Sequence, residues 1–461
     1  MKNYKYLAAV LAGCLLLGGC SNGGGSSAVV TATPTPLATV TATPTPAPTE
    51  TPTPTSSINI KIPYNNGKNE NESVAQNYYE DNPDATPIPV VSYNFEAKVS
   101  GEETEGLNFV KNLRIGWNLG NTFEAFTDRN QYADDELKYE SSWVGVKTSR
   151  EMIKMLKDKG FNSIRIPVSW HNHVSGENHE ISKVWLDRVN EVVDWAIDEG
   201  MYVILNTHHD VYNEYYYPDM EHMDSSVHYM RCIWTQLSER FKDYDNHLIF
   251  ESLNEPRLKD NQFEWNMNTK QQIVVDAIEV INRMNQEFVD TVRESGGNNA
   301  GRFLMVPGYD ASPEGALTSL FRLPEDPAND RLIISVHAYT PYIFALAGPE
   351  DNRSISNFDA SSKSSTNDID WFMSELYKKF ISNNIPVIIG EMGARDKKGN
   401  TGDRTQWAGY YVALARSYGM SCLWWDNNAF KSNGEDFGIL DRKNLSWKFE
   451  DIINALMANC D

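Results

Sequence analysis

Polar and ionisable side chains recur at one kind of place in this sequence, just past the end of an apolar, strand-like run. Asn118, Asn121 and Glu124 belong to the first run, and Arg165 ends the second. His208 and His209 follow the third, Asn254 and Glu255 the fourth, His337 and Tyr339 the sixth, Glu391 the seventh, and Trp425 the eighth. Carboxyl, imidazole, guanidinium and phenol groups gathered in one place can transfer protons and stabilise developing charge. Each alone has an ordinary reading: Arg165 as half of a structural ion pair, a lone carboxylate as a solvated surface group. Their joint occurrence resists that reading, because buried charge is costly unless it is paired. His208-His209 beside Asp210 suggests a metal site, but adjacent residues rarely aim at one ion. No Cys-x-x-Cys pair occurs, so a thiolate zinc site is not expected. Neither a metal nor a cofactor is expected.

The elements that must position these groups follow from the runs themselves. Strand-like runs cover 113–118, 163–167, 202–206, 248–251, 303–306, 332–336, 387–390 and 421–424. Between them lie amphipathic stretches at 149–159, 184–199, 230–241, 272–295, 369–383 and 403–418. Strands alternating with helices pair in parallel through right-handed crossovers. Eight such units predict a closed (β/α)8 barrel, whose chemistry sits at the C-terminal ends of its strands. A doubly wound open sheet is the competitor, but no GxGxxG follows a strand and there is no P-loop.

The remainder of the chain is organised around that single domain. Residues 1–20 carry Lys2 and Lys5, then an apolar run from Tyr6 to Leu17. That run is too short to span a bilayer, which takes about 20 residues, and reads as an export signal. It ends Leu17-Gly18-Gly19-Cys20, which resembles a bacterial lipoprotein signal with Cys20 as the lipidated residue. The expectation is an exported, lipid-anchored surface protein, the alternative being ordinary cleavage and secretion. Residues 21–90 are Gly/Ser-rich, then Thr/Pro-rich over 31–57, then polar. Proline at every second residue opposes helix and sheet and favours an extended spacer. The folded domain is placed at 91–461. Lys+Arg total 41 and Asp+Glu 63, a net charge of −22. So negative a chain is not built for nucleic acid or an anionic membrane surface; any membrane contact would come through the anchor at Cys20. A monomer is expected. Five cysteines are too few for a disulfide framework, and Cys232, Cys422 and Cys460 can be free or hold one bridge.

The segments GWNLGNTFEA (116–125), RIPVSW (165–170), THH (207–209), SLNEP (252–256), HAY (337–339), GEMG (390–393) and LWWDN (423–427) resemble glycoside hydrolase family five, the retaining (β/α)8 cellulases. The resemblance runs over about residues 107–456. Asn-Glu-Pro alone is shared by several barrel glycosidase families; with GWNLGNT and HAY it is far more specific. The motifs look most like the subfamily of endo-β-1,4-glucanases with some xyloglucanases, lichenases and xylanases. The implied partner is a β-glucan polysaccharide: cellulose, carboxymethyl cellulose, mixed-linkage glucan or xyloglucan. A xylanase or mannanase of the same fold is the alternative. A surface carbohydrate-binding protein is the non-enzymatic rival, but it would be expected to lack one of the two carboxylates.

The resemblance also implies roles. Glu391 would be the nucleophile and Glu255 the acid–base group, its pKa raised by burial and by Glu391. Arg165 and Tyr339 would support Glu391, His337 would tune Glu255, and Asn254 would bind a sugar hydroxyl. Trp425 would stack under the sugar at the cleavage point. Asn121, Glu124, His208 and His209 would hold hydroxyls there and one subsite further. Trp170 and the run Tyr215-Tyr216-Tyr217 are further candidate stacking faces.

Overall fold

The computed structural model describes residues 88–99, 103–127, 131–132, 134–430 and 434–461. The signal, Cys20 and the Thr/Pro run lie outside the described residues. Eight strands close a barrel: β1 (Ile115–Leu119), β2 (Ser163–Ile166), β3 (Tyr202–Asn206), β4 (Leu248–Glu251), β5 (Leu304–Pro307), β6 (Leu332–His337), β7 (Val387–Met392) and β8 (Ser421–Asp426). Each neighbouring pair is parallel, and β8 closes on β1 with Asn118 opposite Trp425. Asn118 also lies opposite Arg165, and Arg165 opposite Ile204. The (β/α)8 expectation therefore holds, with every strand pointing its C-terminal end at one mouth.

Helices follow the strands. α1 (Glu105–Asn112) precedes β1 and packs across the bottom of the barrel. The outer ring is α2 (Arg150–Lys159), α3 (Lys183–Asp198), α4 (Met223–Phe241), α5 (Gln272–Glu294), α6 (Pro313–Leu317), α7 (Lys363–Lys379), α8 (Thr401–Ser417) and α9 (Glu450–Ala458). Local sequence sets their ends. Ser149 accepts the Met152 N–H at the start of α2, and Gly160 closes it at φ +109, the left-handed turn that glycine makes without strain. One expectation needs correction. α8 is not amphipathic, since residues on nearly all its sides are buried. It is covered by α9 and by the segment before α1, where Tyr93 packs edge-on to Tyr410 at 5.6 Å. Asn459 fastens that segment, accepting from Tyr93 N–H at 2.8 Å and donating to the Val91 carbonyl at 2.9 Å.

The core has two parts. A large layer lies between strands and helices. A smaller one fills the lower barrel: Ile204, Ile249, Met305, Ile333, Ile388 and Leu423, closed beneath by Phe109 of α1 stacked on Phe303 at 3.7 Å. This apolar plug is the floor on which the polar upper end rests.

Candidate active site

Arg165 is the centre of the upper barrel. Its side chain is fully buried, and β2 aims it across the barrel. Nε donates to Glu251 at 2.7 Å, Nη1 to Glu391 at 2.7 Å and to Asn118 at 3.0 Å, and Nη2 to Asn254 at 2.7 Å. Burial opposes its charge, but Glu251 and Glu391 outweigh burial and hold the guanidinium protonated. Glu251 is in turn held by Ser335 at 2.5 Å and Asn206 at 3.0 Å. Every strand-end group here is fixed by another, as a buried polar network requires.

The two carboxyls at the mouth sit in different surroundings. Glu391, at the end of β7, accepts from Arg165 on Oε1 and from the Tyr339 hydroxyl on Oε2 at 2.8 Å. These donors are complementary to a carboxylate anion. Burial, then the charge of Glu391, push the Tyr339 phenol well above its ordinary range, so it keeps its proton and donates. Glu255 lies just past β4, with His337 Nδ1 2.9 Å from its Oε1. Arg257 Nη1 stands 3.8 Å from its other oxygen. Burial pushes Glu255 up, but His337, then Arg257 and His209, outweigh it and hold the carboxyl down at about 2. The sequence expectation of a raised value is therefore corrected for this state. The physical reason is the hydrogen bond to His337, which lowers the carboxyl more than any other neighbour does.

Oxygens of Glu255 and Glu391 and a nitrogen of His337 all lie within 4.8 Å of one another. Retaining glycosidases place their carboxyls ~5–5.5 Å apart, whereas inverting ones leave ~6.5–9.5 Å for a water. The separation here fits attack by a carboxylate itself. The same three donors would be the place for a cation, but Arg165 already neutralises Glu391 and Arg257 stands by Glu255.

The remaining predicted residues divide. Asn254 is bonded to Arg165 beside the two carboxyls. Trp425 is slightly exposed and lies parallel to the His208 ring at 6.0 Å. His208 is held by Asn206 at 3.1 Å. Burial, then the neighbouring His209, push His208 well down, and burial with Arg257 takes His209 to about 3, so both rings are neutral. Asn121 turns the chain past β1 at φ +59 and is partly exposed.

Glu124 is not available to a sugar. It is fully buried and accepts the backbone N–H groups of Asn121 and of Thr122, the latter at 2.8 Å; it shapes the loop after β1. Trp170 is also corrected. It is fully buried, with Nε1 donating to the Asn206 carbonyl at 3.0 Å. Tyr216 is buried as well, and Tyr217 donates to the Lys259 carbonyl, so the tyrosine run packs the loop. Sequence reasoning missed Glu251 and Arg257. Glu251 had a signal, an acidic residue closing an apolar strand; Arg257 had only its place after Asn-Glu-Pro. It also missed Phe126, which lies 5.5 Å from His209; Trp143, a tryptophan the sequence offers as a candidate stacking face, lies 6.0 Å from the same ring and is 40% exposed.

Two carboxyls this close, one clamped by Arg165 and Tyr339 and the other hydrogen-bonded to an imidazole, are equipped to break an acetal by double displacement. On a (β/α)8 barrel that is the chemistry of a glycoside hydrolase. The chain belongs to glycosyl hydrolase family 5, the cellulase family, whose profile matches residues 127–431. It is similar to a family 5 lichenase from Caldicellulosiruptor sp. F32: 52% identity, TM-score 0.79, covering 81% of this chain and 99% of that one. A xyloglucan-specific endo-β-1,4-glucanase from a metagenomic library shares 39% identity at TM-score 0.68, over 76% of this chain and 97% of that one. Endoglucanase 1 of Ruminococcus albus is 43% identical over 354 residues, 76% of this chain and 80% of that protein.

Proposed function

We propose that this chain is a retaining, endo-acting β-1,4-glucanase, with mixed-linkage glucan and xyloglucan among its substrates. The carrying observation is the pair of carboxyls within 4.8 Å at the barrel mouth, one clamped by donors and one hydrogen-bonded to His337. The substrate class is supported by the endoglucanase, lichenase and xyloglucanase relatives, and by a lichenase structure that holds cellotetraose. Glu391 attacks the anomeric carbon while Arg165 and Tyr339 hold it in line. Glu255, protonated in the substrate complex, gives its proton to the leaving oxygen. Glu255 then removes a proton from water, which opens the glycosyl ester on Glu391. Asn254 takes a sugar hydroxyl, Trp425 stacks beneath the ring, and the neutral His208 and His209 meet further hydroxyls. NMR of the first product from a β-glucan tests the mechanism: the β-anomer is expected, and initial α-anomer sinks it. Rates on carboxymethyl cellulose, lichenan, xyloglucan, xylan and mannan test the substrate class, and a preference for xylan or mannan rejects it.

The same proposal places the enzyme outside the cell, tethered through Cys20 and held off the lipid by residues 21–90. The signal-like run before Cys20 and the Thr/Pro repeat support this. Cys20→Ser is expected to move activity from the membrane fraction to the medium or leave an uncleaved precursor; unchanged membrane activity counts against the anchor.

A further inference from the structure

A ring that none of these roles uses packs against the phenol that clamps Glu391. Tyr339, just past β6, donates its hydroxyl to Glu391 Oε2 at 2.8 Å, and the Ala338 N–H before it donates to the Glu391 carbonyl at 3.0 Å. The backbone is thus fixed, but a phenol still turns about two side-chain bonds, and packing decides where its hydroxyl ends. Tyr339 is only partly buried, so the core alone does not hold it. Its ring meets Phe437, with centroids 5.3 Å apart and planes tilted by 51°. Phe437 also meets the chain just past β7. A Cβ on Gly393, two residues after Glu391, would fall 3.0 Å from Phe437 Cδ1, so a bare glycine lets the ring come this close. One ring therefore abuts the phenol on one element and the chain that carries the carboxylate on the next.

Phe437 comes from the segment after β8, and that segment is fastened on both sides of it. The ring is almost fully buried. The Phe437 carbonyl accepts from Trp424 Nε1 at 3.0 Å, and its N–H donates to Asn427 Oδ1 at 3.3 Å. Just beyond, the N–H groups of Ile439 and Leu440 donate to Asp426 at 2.9 and 3.0 Å, and that of Gly438 donates to the Ala429 carbonyl at 3.1 Å. Just before, the Asp436 carbonyl accepts from Asp396 N–H at 2.9 Å, and the Gly434 carbonyl accepts from Arg395. Arg395 Nη1 donates in turn to the Leu346 carbonyl at 3.0 Å. Segments after β6, β7 and β8 are tied together around this ring. A ring held so firmly is a stop that limits how far the phenol can swing from Glu391. A displacement of about 1 Å at a reacting group can cost about 10²-fold in rate, so the stop bears on catalysis as well as on packing.

We infer that Phe437 is a positioning residue for the nucleophile: its ring holds the Tyr339 hydroxyl on Glu391 and acts on the attacking carboxylate through Tyr339. The inference rests on the reading of Glu391 as the nucleophile.

Phe437→Leu, Tyr339→Phe and the double variant test it, read on cellotetraose and by fluoride release from β-cellobiosyl fluoride. Both substrates need Glu391 to attack. Tyr339→Phe is expected to lose about 10–100-fold in kcat, the scale of one hydrogen bond to a charged group. Phe437→Leu loses about tenfold in kcat on both substrates, with KM within about twofold of wild type. In the Tyr339→Phe background, Phe437→Leu costs no more than about twofold further, because the bond it serves is already gone. Gly393→Ala presses on the same ring from the end of β7 and loses about threefold in kcat, again only while Tyr339 keeps its hydroxyl. It carries the test if Phe437→Leu fails to fold. A loss that persists undiminished in the Tyr339→Phe background, a loss confined to KM, or no loss at all overturns the inference, because the ring would then serve only the fold or substrate binding. Failure of azide to rescue Glu391→Ala is a separate result and sinks the reading of the nucleophile itself.

Discussion

The two ends of the barrel interior are built on opposite principles. The lower end is hydrocarbon: Ile204, Ile249, Met305, Ile333, Ile388 and Leu423 over the Phe109–Phe303 stack. The upper end, on the same strands, is charge: Arg165, Glu251 and Glu391, with Asn118, Asn206 and Ser335 filling the gaps. Apolar packing stabilises without regard to direction. A buried ionic network repays its desolvation only with every partner in place. Stability thus comes mainly from below, while the upper end gives up stability for a charge array that is held rigid before substrate arrives. This is the arrangement electrostatic catalysis needs.

The largest effects are expected where the upper end meets substrate. Glu391→Ala should remove turnover altogether, and azide should restore it as an α-glycosyl azide; residual turnover without azide would reassign the nucleophile. Glu255→Ala should lose about 10²–10⁴-fold on cellotetraose and far less on β-cellobiosyl fluoride, whose leaving group needs little protonation. Equal loss on both would show that Glu255 is not the acid.

Arg165→Met sharpens the contrast. It leaves Glu251 fully buried without its cation, and breaking a buried pair in this way costs about 3–5 kcal/mol. Chemical denaturation should report that loss, along with a collapse of kcat. Ile249→Ala, at the lower end, should cost about 2–5 kcal/mol through the cavity it opens and leave kcat at 25 °C close to wild type. If Ile249→Ala lost kcat and Arg165→Met did not, the division between the two ends would fail.

The smallest effect concerns Glu124, a polar group of the upper end that serves the fold. Burial raises its carboxyl from the ordinary 4.5 to about 7, against the backbone N–H groups it accepts and the charge of Arg442. Because the folded value lies above the unfolded one, its contribution to stability is full below about 4.5 and is lost as pH rises through about 7. Thermal unfolding across that window should show the slope in wild type and a flatter one in Glu124→Gln. An identical slope in both would mean the titration lies elsewhere.

Periodicity and strand-end polarity were enough to foresee the eight strands and to mark Arg165, Asn254, Glu255, His337, Tyr339 and Glu391, because a closed parallel barrel brings all strand ends to one mouth whatever fills the loops. α8 escaped that logic, since its burial comes from α9 and from the chain around Tyr93, neighbours remote in sequence. Direction within the mouth escaped it too. Glu124 and Glu255 are both glutamates past a strand, yet one turns back to cap backbone amides and the other faces its partner carboxyl. Trp170 and Trp425 are both tryptophans near a strand end, yet one is fully buried with its ring N–H on the Asn206 carbonyl and the other keeps a slight exposure beside His208. Sequence alone determined which chemistries reach the mouth. Only tertiary structure decided which of them are sealed away, how far apart the carboxyls stand and which donors hold each carboxyl, because burial and charge pairing depend on side chains from strands and loops distant in the chain.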